Sequence, residues 1–129
     1  MINDKKDILI VNINKTYKDK YIYDENGNLN EKYIKDSTRE SWRLKKELVE
    51  DNNIKYIIGI KNGEIKSVYG VIKYYKVPRL NGKQKERYGF EVKDLNNEIK
   101  EKIINGIYNK KILLKQVRIK YLRSEDILN

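Results

Sequence analysis

The sequence contains no cysteine and no histidine. Without cysteine there is no disulfide framework and no thiol nucleophile. Without histidine, the commonest general base, the Ser-His-Asp triad and zinc sites of the His/Cys type are all excluded. No glycine-rich phosphate loop occurs, and no cofactor is expected. No apolar run approaches the roughly 20 residues of a membrane span. Asp4, Lys5, Lys6 and Asp7 interrupt the opening stretch where a secretory signal would be apolar. These absences read as a cytoplasmic chain with no membrane association. Proline, tryptophan and phenylalanine occur once each, and arginine only six times against 23 lysines. Richness in Lys, Ile, Asn and Tyr looks like the codon bias of an AT-rich genome, so lysine is the default cation and each arginine is the more informative residue.

What is present suits one folded unit. The 129 residues, 39% hydrophobic and 37% charged, are enough for a single domain over residues 1–129 with its own core. The formal charge is +10 and the pI about 9.6. Such a field attracts polyanions, DNA or RNA first and an acidic protein second. Lysines scattered only for solubility are the plainer alternative. No lysine tract is long enough for a disordered basic arm, so the charge acts from a folded surface.

Residues 8–13 form an apolar run bounded by charges and read as a buried strand. Asn26-Gly27 signals a turn. From Asn30 to residue 50 the pattern is helical, as one helix or two short ones. Asn30 caps the first, one of Asp36, Ser37 and Thr38 the second, and Asn52-Asn53 ends it. Strands are expected at 54–61 and 64–76, joined through Asn62-Gly63, the strongest short hairpin signal. The alternation slips near Gly70, which indicates a bulge, and Pro78 stops the strand. A turn at 80–83, a strand at 84–93, an amphipathic helix at 96–105 and a last strand at 112–121 follow. Strands grouped around a hairpin with helices apart from them indicate an α+β fold with a mostly antiparallel curved sheet and two or three flanking helices.

The chemistry centres on "TRESWRLKKELV", Thr38 to Val49, which holds the sole tryptophan and two arginines. On a continuous helix with Trp42 at zero, Arg39 and Arg43 fall near about 60° and about 100°, side by side beside the indole. Arginine offers a planar fork to phosphate and stacks on rings, and a rim tryptophan can stack on an unpaired base. The same residues also suit a structural role, with Trp42 anchoring the helix and the arginines packing on it or pairing with Glu40 or Glu47. Tyr74 and Tyr75 face opposite sides of their strand, so one of them is either a stacking surface among Lys73 and Lys76 or a core residue with its hydroxyl at the rim. Acid-x-Lys triplets at Glu64–Lys66, Glu91–Lys93 and Glu98–Lys100 keep a Mg²⁺-dependent nuclease open, although such triplets arise by chance in so charged a chain.

"DILIVNIN", "IKDSTRESWRL", "YIIGIKNGEIKSVYGV", "ERYGFEV" and "IYNKKI" occur in one order. Together they resemble a family of uncharacterised bacterial domains in the PUA-like group that includes EVE and ASCH domains. The resemblance covers roughly residues 8–112, and its helix motif is the most specific part. Glu40 and Asn109 stand where the family tends to glycine. The resemblance implies a pseudo-barrel of a group that often binds RNA or modified bases; with the charge and the missing histidine and cysteine, the expectation is a non-catalytic module for DNA or RNA, with a modified or flipped base as a candidate ligand. Some relatives accompany restriction and phage-defence systems. It implies a cleft between barrel and helices, with Thr38, Arg39, Trp42, Arg43, Arg87 and Phe90 as the matching positions. A protein-interaction module with an acidic partner is the alternative class.

Overall fold

The computed structural model describes residues 5–40, 42–77 and 87–128. The six-stranded sheet has the order β2-β5-β4-β3-β1-β6. Its strands are β1 (Ile8–Asn12), β2 (Trp42–Arg43), β3 (Tyr56–Lys61), β4 (Glu64–Val77), β5 (Arg87–Lys93) and β6 (Ile119–Leu122). The helices are α1 (Glu31–Arg39), α2 (Lys46–Asn52), α3 (Asn97–Asn109) and α4 (Ser124–Leu128). The result is α+β, with a mixed sheet curled into a half-barrel. β1 and β3 run parallel, and the other neighbours are antiparallel.

β1 carries four consecutive apolar residues because both its faces are covered. Leu9 and Val11 join one core with Ile34, Val49, Ile57, Tyr88 and Phe90. Ile8 and Ile10 join the other with Ile58, Ile60, Ile103 and Ile107. Such runs without alternation mark a strand buried on both sides. Burying each such side chain contributes about 1.5–3 kcal/mol.

Several local signals hold. The Asn30 side chain accepts from the Tyr33 amide and caps α1, and Asn53 closes α2 with φ 52°. Asn62 and Gly63, with φ of 53° and 79°, make the turn between β3 and β4, since a two-residue hairpin of this type needs positive φ at both positions. The bulge expected near Gly70 falls at Ile72, which is left without a partner between Val71 and Lys73. β4 ends at Val77; Pro78 and the turn expected at 80–83 lie outside the described residues.

Three expectations are corrected. Of the two readings of 30–50 the two-helix one holds, but an edge strand, β2, separates the helices, and Asp36, Ser37 and Thr38 lie inside α1 rather than capping α2. The break comes from tertiary pairing: Trp42 registers with Tyr88 and Arg43 with Arg87 at the sheet edge. The strand read over 112–121 pairs only from Ile119 to Leu122. Upstream, Lys111 and Gln116 have positive φ. Ile112, Leu114 and Val117 pack in the core of α3, whereas Ile119 and Tyr121 pack in the other. The apolar pattern there spans two layers, not one strand. α3 runs on to Asn109, and α4 was not expected. Among the described residues no helix is long and apolar enough to cross a membrane.

Candidate functional site

The curl of the sheet brings its two ends to one cleft of about 610 Å³. Trp42, Arg43 and Arg87 line it from β2 and β5, while Asn12, Arg118 and Ile119 line it from β1 and β6. Asn14, Lys15 and Thr16, in the turn after β1, complete the wall. Four cations thus face one concavity, and no carboxylate is among its described lining residues. Among the described residues the side chains of Lys15, Arg43 and Arg118 make no hydrogen bond or ion pair. Like charges gathered in one concavity repel one another, and an anion relieves that repulsion.

The wall is held rigidly. Asn12 Oδ1 accepts from the Asn14 amide at 2.9 Å, and its Nδ2 donates to the Val117 carbonyl at 2.9 Å. Asn14 Oδ1 accepts from the Asn62 amide at 3.1 Å. Thr16 Oγ1 donates to the Ser37 carbonyl at 2.9 Å, and Ser37 Oγ reaches the Thr16 carbonyl at 2.9 Å, binding the turn to α1. Trp42 is half-buried against the core, and its Nε1 donates to the Thr38 carbonyl at 2.7 Å. Its N–H is therefore committed, and the ring presents only π surface and edge to the cleft.

The six residues singled out from sequence divide in two. Trp42, Arg43 and Arg87 meet in the cleft. Thr38 and Phe90 are fully buried; Thr38 Oγ1 hydrogen-bonds Ser67 Oγ at 2.5 Å. Both support the site from within the core. Arg39 does not line the cleft, and it shares no helical face with Arg43, because β2 separates them. Its Nε donates to Asp36 at 2.7 Å and its Nη1 to the Tyr75 hydroxyl at 2.7 Å. That hydroxyl donates to Glu40 at 2.6 Å. Burial raises the Asp36 carboxyl, but hydrogen bonds from Arg39 and Lys32 outweigh it and leave its pKa below 3.8. The hydrogen bond to Asp36 holds the Arg39 guanidinium above its ordinary range. Burial, then the bond to Glu40, raise the Tyr75 phenol above 10.0.

Sequence reasoning missed Asn12, Asn14, Lys15, Thr16, Arg118 and Ile119. The scarcity of arginine, applied to all six, was the signal that would have raised Arg118. Of the two tyrosines, Tyr74 is exposed, edge-on to Tyr88 with ring centroids 6.0 Å apart. The acids of the three triplets sit in exposed ion pairs: Glu64 with Lys66 at 3.1 Å, Glu91 with Lys73 at 3.5 Å and Glu98 with Lys102 at 3.4 Å. Among the described residues no group of three or more acidic side chains could hold a metal ion. No family model matches the chain, and neither a curated protein nor a solved structure matches it.

Proposed function

We propose that this chain is a non-catalytic nucleic-acid-binding module of the PUA-like type, acting in the cytoplasm, whose cleft receives an unstacked, flipped or modified base. One observation carries the reading: among the described residues the half-buried Trp42 shares a concavity with Lys15, Arg43, Arg87 and Arg118 and with no carboxylate. The cations suit phosphate oxygens, the guanidiniums in bidentate fashion. The indole suits a base face, a contact worth about 1–3 kcal/mol. A role beside restriction or phage defence agrees with the resemblance.

A labelled single strand and the matching duplex, titrated at several salt concentrations, test this reading. With three to four phosphates neutralised, log K against log salt for the single strand should fall with a slope of about −2 to −3. A flat salt response would instead favour a second reading, an acidic protein partner docking on the exposed Ile72 and Tyr74 of β4 beside Lys73 and Lys76. No binding to either oligonucleotide overturns the proposal.

A further inference from the structure

The charged side chains among the described residues of the cleft are all hydrogen-bond donors. Lys15, Arg43, Arg87 and Arg118 carry no acceptor. The carboxamide oxygens of Asn12 and Asn14 are each already engaged once. Each oxygen is taken by a backbone N–H, that of Asn14 on Asn12 and that of Asn62 on Asn14. Each backbone N–H is met by the carboxamide oxygen, so these orientations are fixed, and the amide hydrogens of Asn14, with the one of Asn12 not given to the Val117 carbonyl, are left to donate to a ligand. Thr16 has its proton directed to the Ser37 carbonyl, so its hydroxyl can only accept from a ligand.

We infer that the cleft selects a nucleotide edge made only of acceptors, the N7/O6 edge of guanine, with its phosphate held by a second guanidinium. This rests on the nucleic-acid-binding reading and names the base. Guanine presents two adjacent acceptors on that edge, which fit one arginine fork. Adenine sets an amino donor beside N7, and cytosine presents an amino donor, so each would point N–H at N–H. Uracil and thymine offer one acceptor there and half the fork. Arg43 and Arg118 approach from opposite ends of the sheet, so one fork can hold the base while the other holds phosphate. The guanine Watson–Crick edge, which carries donors, faces the open mouth, and its ring lies on Trp42.

Trp42 is the only tryptophan, so its fluorescence reports this site without a label. The intact protein is titrated with GMP, AMP, UMP, CMP, 7-deaza-GMP and inorganic phosphate, and the midpoint rather than the amplitude is read. GMP is expected to bind roughly ten- to hundredfold more tightly than AMP, and removal of N7 in 7-deaza-GMP to abolish most of that advantage. Arg43→Lys and Arg118→Lys, both at exposed positions, keep the charge and lose the fork. The one that reads the base removes the GMP preference while phosphate still binds. Equal midpoints for the four nucleotides, or phosphate binding as tightly as GMP, overturn the guanine assignment. If oligonucleotides still bind in that case, the broader reading stands; if nothing binds, both fall.

Discussion

The indole Nε1 of Trp42 donates to the Thr38 carbonyl at 2.7 Å, closing the C-terminal end of α1 with a side chain from the strand that follows it. That carbonyl is one of the last four of the helix, which have no intrahelical partner. One residue therefore ends the helix, starts the edge strand and floors the cleft.

Trp42→Phe keeps a ring and loses this bond, and should cost about 0.5–1.5 kcal/mol of stability. Trp42→Ala also removes the packing and should cost up to about 3–5 kcal/mol. Urea unfolding gives both values. If Phe costs as much as Ala, the hydrogen bond rather than the ring holds this junction.

Arg39→Lys and Arg43→Lys should behave oppositely. Arg39 bridges Asp36, Glu40 and Tyr75, so its substitution should lower stability by about 1 kcal/mol and leave oligonucleotide affinity intact in the folded protein. Arg43 is exposed in the cleft, so its substitution should leave the melting curve in place and weaken binding by about 1–3 kcal/mol. Matched melts and titrations decide; identical behaviour of the two would remove the separation drawn between them.

Two buried phenols should make the protein lose stability at alkaline pH. Burial pushes the Tyr69 and Tyr121 phenols up to about 12 from 10.0. The folded state favours their neutral form, so this stability is complete below pH 10.0 and is lost as the pH rises towards about 12. Tyr121 also has a buried hydroxyl with no partner. Tyr121→Phe should therefore be neutral or stabilising by up to about 1 kcal/mol near neutral pH, and should blunt the alkaline loss. A variant less stable at neutral pH would mean that the hydroxyl is satisfied in solution.

Gly59→Ala should be destabilising by about 1–3 kcal/mol through overpacking. A methyl there would lie 2.7 Å from Thr38 Oγ1 and 2.9 Å from Ile13 Cδ1, and closer still to Ser67 Oγ. Thr38 is fully buried on α1, so relief requires the helix to lift from β3. Thermal melts check the cost; a melt unchanged from the parent would show that α1 moves freely.

Most of the sheet was legible because its signals are local. Asn62-Gly63 carries its own backbone preference, Asn30 its own cap, and β1 its own burial pattern. The end of α1 was not, since Glu40 to Lys46 has neither glycine nor proline and reads as good helix. Only the pairing of Trp42 with Tyr88, far along the chain, breaks it. The short β6 was hidden because Gln116 adopts φ 63° without being a usual turn residue. The cleft was half legible for the same reason. Trp42 and Arg43 announce themselves by rarity, but Arg118 joins them only when the two ends of the sheet converge.

The one parallel pair, β1 with β3, has a kinetic consequence. Between them the chain runs from residue 13 to 55 and visits the far edge of the sheet as β2 before returning. β3, β4 and β5 are antiparallel neighbours in sequence order, with β3 and β4 joined by a two-residue turn, so they can zip early. The β1–β3, β2–β5 and β1–β6 pairings all close long loops, whose entropy opposes them until late. The cleft is built from just those late pairings. In a refolding experiment amide protection in β3 and β4 should precede the final Trp42 emission, and on gentle warming the binding surface should come apart before the sheet that carries it.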